Sequence, residues 1–244
     1  MITSLLIGRG KNKGLPGKNL LSILGRPLMS YPILAAKHSR YIERIFLSTE
    51  CEEIKECGRL LGVEVIDRDP CLSEDSALVE DVVVDGFRHM ERRVGQIDIF
   101  VLLFCNSATI TPGIIDRGIE KLLKEPLLDS AVTVSKYNEY SPVRAMKISS
   151  DRVRNYLDVT MIPGASCDRD SAQDCFFIDC SAWILRSRCV DLQKGFMPFR
   201  WIGKEVFPLF QVGGLDIDHA YGIGQTEHWL RSHAFDEHHT PYTQ

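Results

Sequence analysis

LLIGRGKNKGLPGKN, residues 5–19, joins an apolar run to a loop that is rich in glycine and basic side chains. The apolar start predicts a buried strand. The glycines would let backbone N–H groups approach an anion, while Arg9, Lys13 and Lys18 would neutralise its charge. A solvated surface loop could be this basic, but it would rarely follow a buried strand directly. In parallel α/β sheets, ligands bind at the carboxyl ends of the strands, where this loop would lie.

The rest of the chain alternates between strand-like and helix-like segments. Apolar, β-branched runs predict strands, and segments with helical periodicity and end signals predict helices. Because the strand-like runs are apolar throughout, they indicate a sheet that is covered on both faces. The expected fold class is α/β, a doubly wound, mostly parallel sheet with helices on both faces. Strands are predicted at residues 4–8, 44–49, 63–66, 98–104, 130–135, 176–185 and about 206–212, and helices at 27–39, 51–61, 76–92, 112–124 and about 220–233.

This alternation fails in one internal segment, residues 136–175, which is polar and contains IPGASCDRDSAQD. We expect it to be an arm or flap inserted into the α/β domain, where it would close the active site or mediate dimerisation. The α/β domain would then comprise residues 1–135 and 176–233. Residues 234–244 are expected to form a loosely ordered tail.

The composition is that of an ordinary soluble protein, with 25% charged residues and a formal net charge of −4. The acidity argues against a protein that coats nucleic acid. The longest apolar run, IFVLLFC at 99–105, is too short to cross a membrane, and the N-terminus lacks the features of a signal peptide. The eight cysteines include no CxxC pair, which disfavours a zinc site or a disulfide framework. Free thiols in a reducing cytoplasm are therefore expected.

Two well-known phosphate-binding loops do not match the first loop. Three residues separate Gly10 from Gly14, one more than the dinucleotide fingerprint GxGxxG allows after its second glycine; Gly8 supplies the first. The P-loop pattern would need glycine at Asn12 and serine or threonine at Asn19. The chemistry of the loop still suits a polyphosphate, because its glycines admit phosphate oxygens to the backbone N–H groups and its cations neutralise their charge.

The string RGKNKGLPGKN at residues 9–19 resembles the signature loop of the sialic-acid (acylneuraminate) cytidylyltransferases, or CMP-nonulosonate synthetases. Three further segments resemble this family in the same order along the chain. IFLSTECEEI at 45–54 is similar to its strand that ends in Ser-Thr-Asp, with Glu50 in place of the aspartate. DRDPCLSEDSA at 67–77 is similar to its arginine-containing segment, and GLDIDHAYGIGQTE at 214–227 to its Asp-x-Asp strand end and closing helix.

The resemblance implies the Rossmann-like fold of nucleotide-diphospho-sugar transferases. It also implies attack by the anomeric hydroxyl of a 2-keto sugar acid on the α-phosphorus of CTP, which mainly requires positioning and charge neutralisation. Lys18 would be the cation nearest the α-phosphate, with Arg9 and Lys13 as further catalytic cations. Solvated surface lysines, and a local salt-bridge cluster around Arg68, are the alternatives. The residues that this resemblance assigns to the nucleotide are Arg9, Gly10, Lys13, Lys18, Asn19, Arg68 and Ser107.

Asp216 and Asp218 are the candidate metal ligands, and Mg²⁺ is the expected cofactor. Two residues apart on a presumed strand, they would project from the same face. Paired carboxylates that bridge to phosphate oxygens suit Mg²⁺. The alternative is that both aspartates only cap the following helix. The five histidines between residues 219 and 239 are interpreted as ordinary surface residues.

The part of the sequence that would contact the sugar departs from the family. Phe104 stands where the family has a glutamine, and Phe177 and Asp179 replace an arginine and an asparagine. Taken singly, each phenylalanine favours a core position over a sugar contact, but the loss of two polar contacts together indicates a different sugar. Arg144 and Arg169 are the candidates for binding the sugar carboxylate, because the guanidinium group matches both of its oxygens. Surface pairing of these arginines with nearby aspartates is the alternative.

We therefore expect a cytosolic, Mg²⁺-dependent cytidylyltransferase that acts on CTP and an acidic, sialic-acid-like sugar. The departures indicate a sugar other than N-acetylneuraminate. A sugar-1-phosphate nucleotidyltransferase and a catalytically silent nucleotide-binding homologue are the alternatives. A homodimer is expected, because cyclic dimers are the commonest assembly and the resemblance indicates the same. No nucleic acid or membrane partner is expected.

Overall fold

The computed structural model describes residues 1–171 and 173–242. Ala172, in the predicted arm, and residues 243–244, in the predicted tail, lie outside the described residues. The strands are β1 (Ile2–Ile7), β2 (Ser22–Ile23), β3 (Arg26–Pro27), β4 (Arg44–Thr49), β5 (Glu64–Asp67), β6 (Ile99–Phe104), β7 (Ser130–Lys136), β8 (Met146–Ser149), β9 (Arg152–Asn155), β10 (Phe176–Arg186) and β11 (Val206–Gln211). The α-helices are α1 (Ser30–Lys37), α2 (Glu52–Leu60), α3 (Val79–Val94), α4 (Pro112–Lys124) and α5 (Tyr221–Ser232).

Seven strands form the central sheet in the order β11-β7-β10-β6-β1-β4-β5. All neighbouring pairs are parallel except those of β10, which runs antiparallel to both β6 and β7. In the middle of the sheet, Leu5 of β1 lies opposite Phe46 on one side and Leu102 on the other, and all three are fully buried. The predicted doubly wound, mostly parallel fold is confirmed.

Separate apolar clusters cover the two faces of the sheet. Leu6, Val101 and Ile184 belong to one cluster, and their chain neighbours Leu5, Leu102 and Trp183 belong to the other. This alternation follows from the period of two along a strand. The helices pack closely on these faces: a Cβ on Gly86 of α3 would lie 2.7 Å from Leu5 Cδ2. A larger residue at Gly86 would therefore push α3 away from the first strand.

The helices and strands follow the sequence-based prediction with two differences at helix starts. The helix predicted from residue 27 begins at Ser30, because Pro27 pairs with Ser22 in the short hairpin of β2 and β3. The helix predicted from residue 76 begins at Val79. Within the part of the chain that the structure describes, no helix combines the length and the apolar character that a membrane crossing requires.

The predicted arm leaves the main sheet after Lys136, the last residue of β7. Its strands β8 and β9 pair only with each other, and all eight of their residues are exposed. The segment is held at its base, where Asn138 Oδ1 accepts a hydrogen bond from Cys175 N. Beyond α5, Phe235 is buried against Tyr31, and Tyr242 donates to Ile110 O.

Candidate active site

Four parallel strands end side by side at one edge of the sheet. β1 leads into Gly8, β4 into Glu50 and β5 into Arg68, while β6 ends at Phe104. A cavity of about 300 Å³ opens there, and the first loop and the segment after Arg68 form its walls. We call it the nucleotide cavity. Its position at the carboxyl ends of the strands is the one expected for a ligand in this fold class.

The first loop is held in place by its own side chains. Asn19 is buried and donates to Arg9 O at 2.9 Å, and Asn12 donates to the same oxygen at 3.1 Å. A Cβ on Gly14 would lie 2.5 Å from Asp218 O, so only glycine fits between the loop and the segment of the two aspartates. Asn19 therefore contributes to the site by shaping the loop as well as by lining the nucleotide cavity.

Gly10 faces away from the nucleotide cavity. Its N–H donates to Glu50 Oε1 at 2.8 Å, and an added Cβ would lie 2.8 Å from Cys51 Cβ. This N–H therefore binds a carboxylate behind the loop, on the side opposite to that of a nucleotide in the cavity.

The three predicted cations of the loop lie beside carboxylates. Lys18 Nζ lies 2.5 Å from Asp218 Oδ1, and the Lys18 side chain is only 11% exposed. On the other side of the loop, the carboxylate of Asp75 lies 2.7 Å from Lys13 Nζ and 3.4 Å from Arg9 Nη1. Hydrogen bonding and charge from Lys13, and then from Arg9, hold the pKa of Asp75 below its ordinary value. Lys18 and Arg9 line the nucleotide cavity, whereas Lys13 lies mostly exposed at its rim.

Arg68 also lines the nucleotide cavity, although its side chain is almost completely buried. Its Nε donates to Ser48 Oγ at 3.1 Å, and its Nη2 donates to Ser48 O. Burial lowers the pKa of Arg68, and the charge of Glu50 offsets part of this effect. Glu50 Oε2 lies 3.9 Å from Arg68 Nη1, within ion-pair range but beyond hydrogen-bond distance, so this carboxylate is the counter-ion through charge alone.

Glu50 was not among the residues predicted from the sequence. Burial raises the pKa of this carboxyl, but hydrogen bonds from Ser73 and from the N–H of Gly10 outweigh the effect, so the pKa lies below its ordinary value. The signal in the sequence was that glutamate stands at position 50, where the family motif has aspartate. A contact with the first loop could not be inferred from it.

Asp216 and Asp218 line the nucleotide cavity and also a second cavity of about 490 Å³. Asp216 Oδ2 accepts a hydrogen bond from Asn106 at 3.2 Å. Burial, and then the charge of Asp218, raise the pKa of Asp216, while Lys18 acts in the opposite direction. Both side chains line the same two cavities, but residues 214–218 do not form the strand on which the prediction placed them.

The segment of the two aspartates is anchored by residues that follow β6. Asn106 O accepts from Ile217 N at 2.9 Å, and Ser107 Oγ donates to Leu215 O at 3.1 Å. Ser107 is fully buried and does not line the nucleotide cavity, whereas Asn106 does. Ser107, predicted as a nucleotide contact, therefore lies beneath the site, and Asn106 is a cavity residue that the sequence analysis did not select.

The second cavity, which we call the aromatic cavity, lies on the other side of the two aspartates. Its aromatic walls are Tyr137, Tyr140, Phe177 and Tyr221, and His219, which stacks on Tyr221, also lines it. Among the described residues that line it, none is lysine or arginine. The aromatic cavity is thus apolar at its sides and acidic where it joins the nucleotide cavity.

Asp179 is part of the aromatic cavity wall, but its carboxylate is largely engaged by the protein. The residue is only 5% exposed, and it accepts hydrogen bonds from Ser135 Oγ at 2.7 Å and Gln211 Nε2 at 2.9 Å. It lies at an irregularity of β10 between Ile178 and Trp183. Such irregularities redirect side chains near active sites. Asp179 therefore joins the ends of three strands under the cavity.

The fold places the remaining predicted sugar contacts at different locations. Phe177 lines the aromatic cavity, whereas Phe104 lines the nucleotide cavity and packs near Trp183. Arg144 donates to Glu139 O, and Arg169 donates to Asp170 at 3.2 Å. Neither arginine is among the described residues that line the two cavities.

The protein is similar in sequence to cytidylyltransferases. The model of a family described as Cytidylyltransferase matches residues 4–175. An N-acylneuraminate cytidylyltransferase from Oncorhynchus mykiss is 23% identical over 221 residues, which cover 89% of this chain and 48% of the relative. A pseudaminic acid cytidylyltransferase from Campylobacter jejuni is 29% identical over 121 residues, covering 49% of this chain and 52% of the relative. The chain spans about a third to half of the length of the curated relatives it matches.

Solved structures show the same fold at low sequence identity. CMP:2-keto-3-deoxy-manno-octonic acid synthetase complexed with CTP superimposes with a TM-score of 0.69 and 15% identity, covering 95% of this chain and 99% of that one. The 4-diphosphocytidyl-2C-methyl-D-erythritol synthase from Anaerococcus prevotii superimposes with a TM-score of 0.63 and 11% identity, covering 94% of this chain and 96% of that one. The predicted Rossmann-like nucleotidyltransferase fold is therefore confirmed.

Proposed function

This chain belongs to the cytidylyltransferase family, and on that premise we propose that it transfers the cytidylyl group of CTP to an acidic, sialic-acid-like sugar. The observation that carries the proposal is the meeting of two cavities at Asp216 and Asp218, with Lys18 beside them. An activated phosphate in one cavity and an acceptor hydroxyl in the other would meet at this border. The sugar oxygen would form a bond to the α-phosphorus, the bond to the β-phosphate oxygen would break, and the hydroxyl proton would leave with pyrophosphate or water.

The nucleotide cavity suits a triphosphate because its cations come from two walls. Lys18 and Arg9 extend from the first loop, and Arg68 extends from the end of β5. Transfer at phosphorus is accelerated mainly by fixed positive charge around the oxygens. Lys18 is the catalytic cation nearest the border of the cavities, and Arg9 and Lys13 would exchange Asp75 for phosphate oxygens when CTP binds.

Asp216 and Asp218 would hold the Mg²⁺ cofactor. Their side chains supply the hard, anionic oxygens that Mg²⁺ prefers, and it commonly takes one or two protein carboxylates together with substrate phosphates. No cluster of three or more potential metal ligands occurs among residues 1–171 and 173–242, so this two-carboxylate arrangement fits the donors present. When bound, Mg²⁺ would neutralise charge on the phosphate oxygens.

The aromatic cavity would hold the sugar. Phe177 and the surrounding tyrosines offer apolar walls for the ring and its acyl groups, as is common in small-molecule sites. The cavity lacks an arginine from the described chain, so a carboxylate on the sugar needs a cation from elsewhere. Arg144 and Arg169 lie in the exposed arm, and they could supply this charge to the site of a neighbouring subunit.

A homodimer is the form in which the arm would find such a neighbour. The arm exposes Met146, Ile148 and Val153 on the β8–β9 hairpin, and such a cluster of apolar side chains is typical of an interface. The product, a CMP-activated sugar, would be made in the cytoplasm for surface polysaccharide or glycoconjugate synthesis.

The proposal is tested by pyrophosphate release with each of four nucleoside triphosphates, Mg²⁺ and a panel of acidic sugars and sugar-1-phosphates. We expect release with CTP and a 2-keto sugar acid that falls at least a hundredfold in Lys18→Met and stays within twofold in Lys11→Met. Lys11 is an exposed residue of the same loop that does not line the nucleotide cavity, so it is a matched control. Release only with sugar-1-phosphates would replace the proposed reaction with the alternative, and no release with any pair would refute enzymatic activity.

A further inference from the structure

Glu50 lies behind the first loop, where it contacts two separate walls of the nucleotide cavity. Its Oε1 accepts the N–H of Gly10, at 2.8 Å, from the loop after β1. Its Oε2 accepts Ser73 Oγ, at 2.6 Å, from the segment after β5. One carboxylate therefore joins Gly10 to Ser73, which is 63 residues further along the chain and lines the nucleotide cavity.

The same carboxylate balances the charge of Arg68. The other partners of this buried guanidinium, Ser48 and Ser73, are neutral. Within 4.0 Å of the guanidinium, Glu50 contributes the one carboxylate found among the described residues. A buried charge without a counter-ion is strongly unfavourable, so Glu50 stabilises the charged guanidinium that Ser48 and Ser73 hold by hydrogen bonds.

We propose that Glu50 is a positioning residue of the nucleotide site, which fixes the first loop against the Arg68 segment so that Arg9, Lys18 and Arg68 converge on one triphosphate. This inference rests on the proposed function. Glu50 does not line the nucleotide cavity, so it acts through the residues that it holds. By binding Gly10 N–H on the far side of the loop, it also determines which side of the loop carries the cations.

The length of the side chain matters for this role. Aspartate would withdraw the carboxylate by about 1.5 Å, the length of one carbon–carbon bond. From the end of β4 it could then keep the contact with Gly10 or the contact with Ser73, but not both. Glutamine keeps the length and the oxygen for Gly10 but removes the charge opposite Arg68. The two substitutions therefore test the length of the side chain and its charge separately.

The test measures CTP binding by calorimetry in saturating Mg²⁺, together with the Michaelis constant for CTP and the turnover number. We expect Glu50→Gln and Glu50→Asp each to weaken CTP binding tenfold or more, with a smaller fall in turnover at saturating CTP. Ser73→Ala should weaken binding about threefold. Glu56→Gln is the matched control, because Glu56 is an exposed carboxylate of α2 that pairs only with Arg59 among the described residues.

Hydrogen exchange of the nucleotide-free protein provides a measurement that does not depend on the function. In Glu50→Gln, amides of residues 8–19 should exchange at least fivefold faster, while those of β6 should not change. If wild-type protein fails to bind CTP, the proposed function is wrong, and the exchange result alone decides whether Glu50 anchors the loop. Should Glu50→Gln fail to fold, Glu50→Asp and Ser73→Ala carry the test. Wild-type CTP affinity in the folded variants, or unchanged exchange in the loop, would overturn the inference.

Discussion

Replacing Lys18 with methionine should remove most of the catalytic rate while leaving the fold intact. The ammonium of Lys18 lies where the two cavities meet, 2.5 Å from Asp218, and its stem is almost completely buried. Removing one preorganised group that stabilises developing charge typically costs about 2.7–4 kcal/mol in the transition state, or roughly a hundred- to a thousandfold in turnover. We therefore expect this loss in pyrophosphate release at saturating CTP and sugar.

The expected effect of Lys18→Met on stability is much smaller. Asp218 is 61% exposed, so its ion pair with Lys18 should contribute about 1 kcal/mol or less to the free energy of unfolding. Methionine keeps most of the apolar stem in place. Thermal unfolding of the variant should therefore remain cooperative, with a melting temperature within a few degrees of the wild type.

The Lys18→Met variant should also change the pH dependence. Lys18 lowers the pKa of Asp216, which burial and Asp218 raise above its ordinary value. Without the ammonium, the pKa of Asp216 rises further, and the acid limb of the rate profile should move to higher pH. Turnover is measured by pyrophosphate release from pH 5 to 9, with Lys11→Met as control. A turnover number within tenfold of the wild type in a folded protein would refute the role of Lys18.

Three further predictions concern the metal, the sugar and the assembly. Asp216→Asn should raise the Mg²⁺ concentration for half-maximal rate at least tenfold, and an unchanged Mg²⁺ requirement would remove Asp216 from the metal site. Since the folded pKa of Asp216 is raised, its protonated form contributes stability below the unfolded pKa, and this stability is lost as pH rises through the folded pKa. The variant should therefore melt at a higher temperature than metal-free wild type at pH 7.5 but not at pH 3. Arg144→Ala and Arg169→Ala should raise the Michaelis constant for the sugar far more than that for CTP. N-acetylneuraminate itself should be a poor substrate, because Phe177 makes the cavity wall apolar. Efficient turnover of N-acetylneuraminate would contradict the assignment of the aromatic cavity to a different sugar. Light scattering at assay concentration should show a dimer that Ile148→Glu dissociates, and full activity of a strict monomer would argue against an arm shared between subunits.

The sequence predicted the strands and helices well because their signals are local. The helix at residues 112–124 was predicted with its observed bounds, since Thr111 and Pro112 mark its start. The antiparallel direction of β10 was not predicted, because an apolar run carries no information about which way it crosses the sheet. The direction of β10 depends on the arm that precedes it, and the arm has little periodicity of its own.

The sequence predicted part of the candidate site, but it did not predict the direction in which each side chain points. Lys18, Arg9 and Arg68, which the sequence analysis assigned to a nucleotide, line the nucleotide cavity, whereas Ser107 and the N–H of Gly10 bind protein groups. A motif specifies which residues occur together, but not which of them hold the backbone and which face a ligand. Glu50 was missed for the same reason, because its contacts join segments that are distant in sequence.

The charge around the aromatic cavity connects the substrate to the assembly. Asp216, Asp218 and Asp179 contribute three carboxylates to its described lining, and His219 is the one basic side chain among those residues. A sugar carboxylate would be repelled there unless cations approach from outside, because Lys18 lines the nucleotide cavity and not this one. The exposed arginines of the arm, Arg144 and Arg169, and the apolar surface of its hairpin would have a common explanation if, as proposed above, the arm of one subunit completes the cavity of another. Mixing an Arg144→Ala subunit with a Lys18→Met subunit should therefore restore activity in the heterodimer, because one of its two sites would combine an intact loop with an intact arm. If the mixture is no more active than either variant alone, the arm does not contribute to the sugar site of the neighbouring subunit.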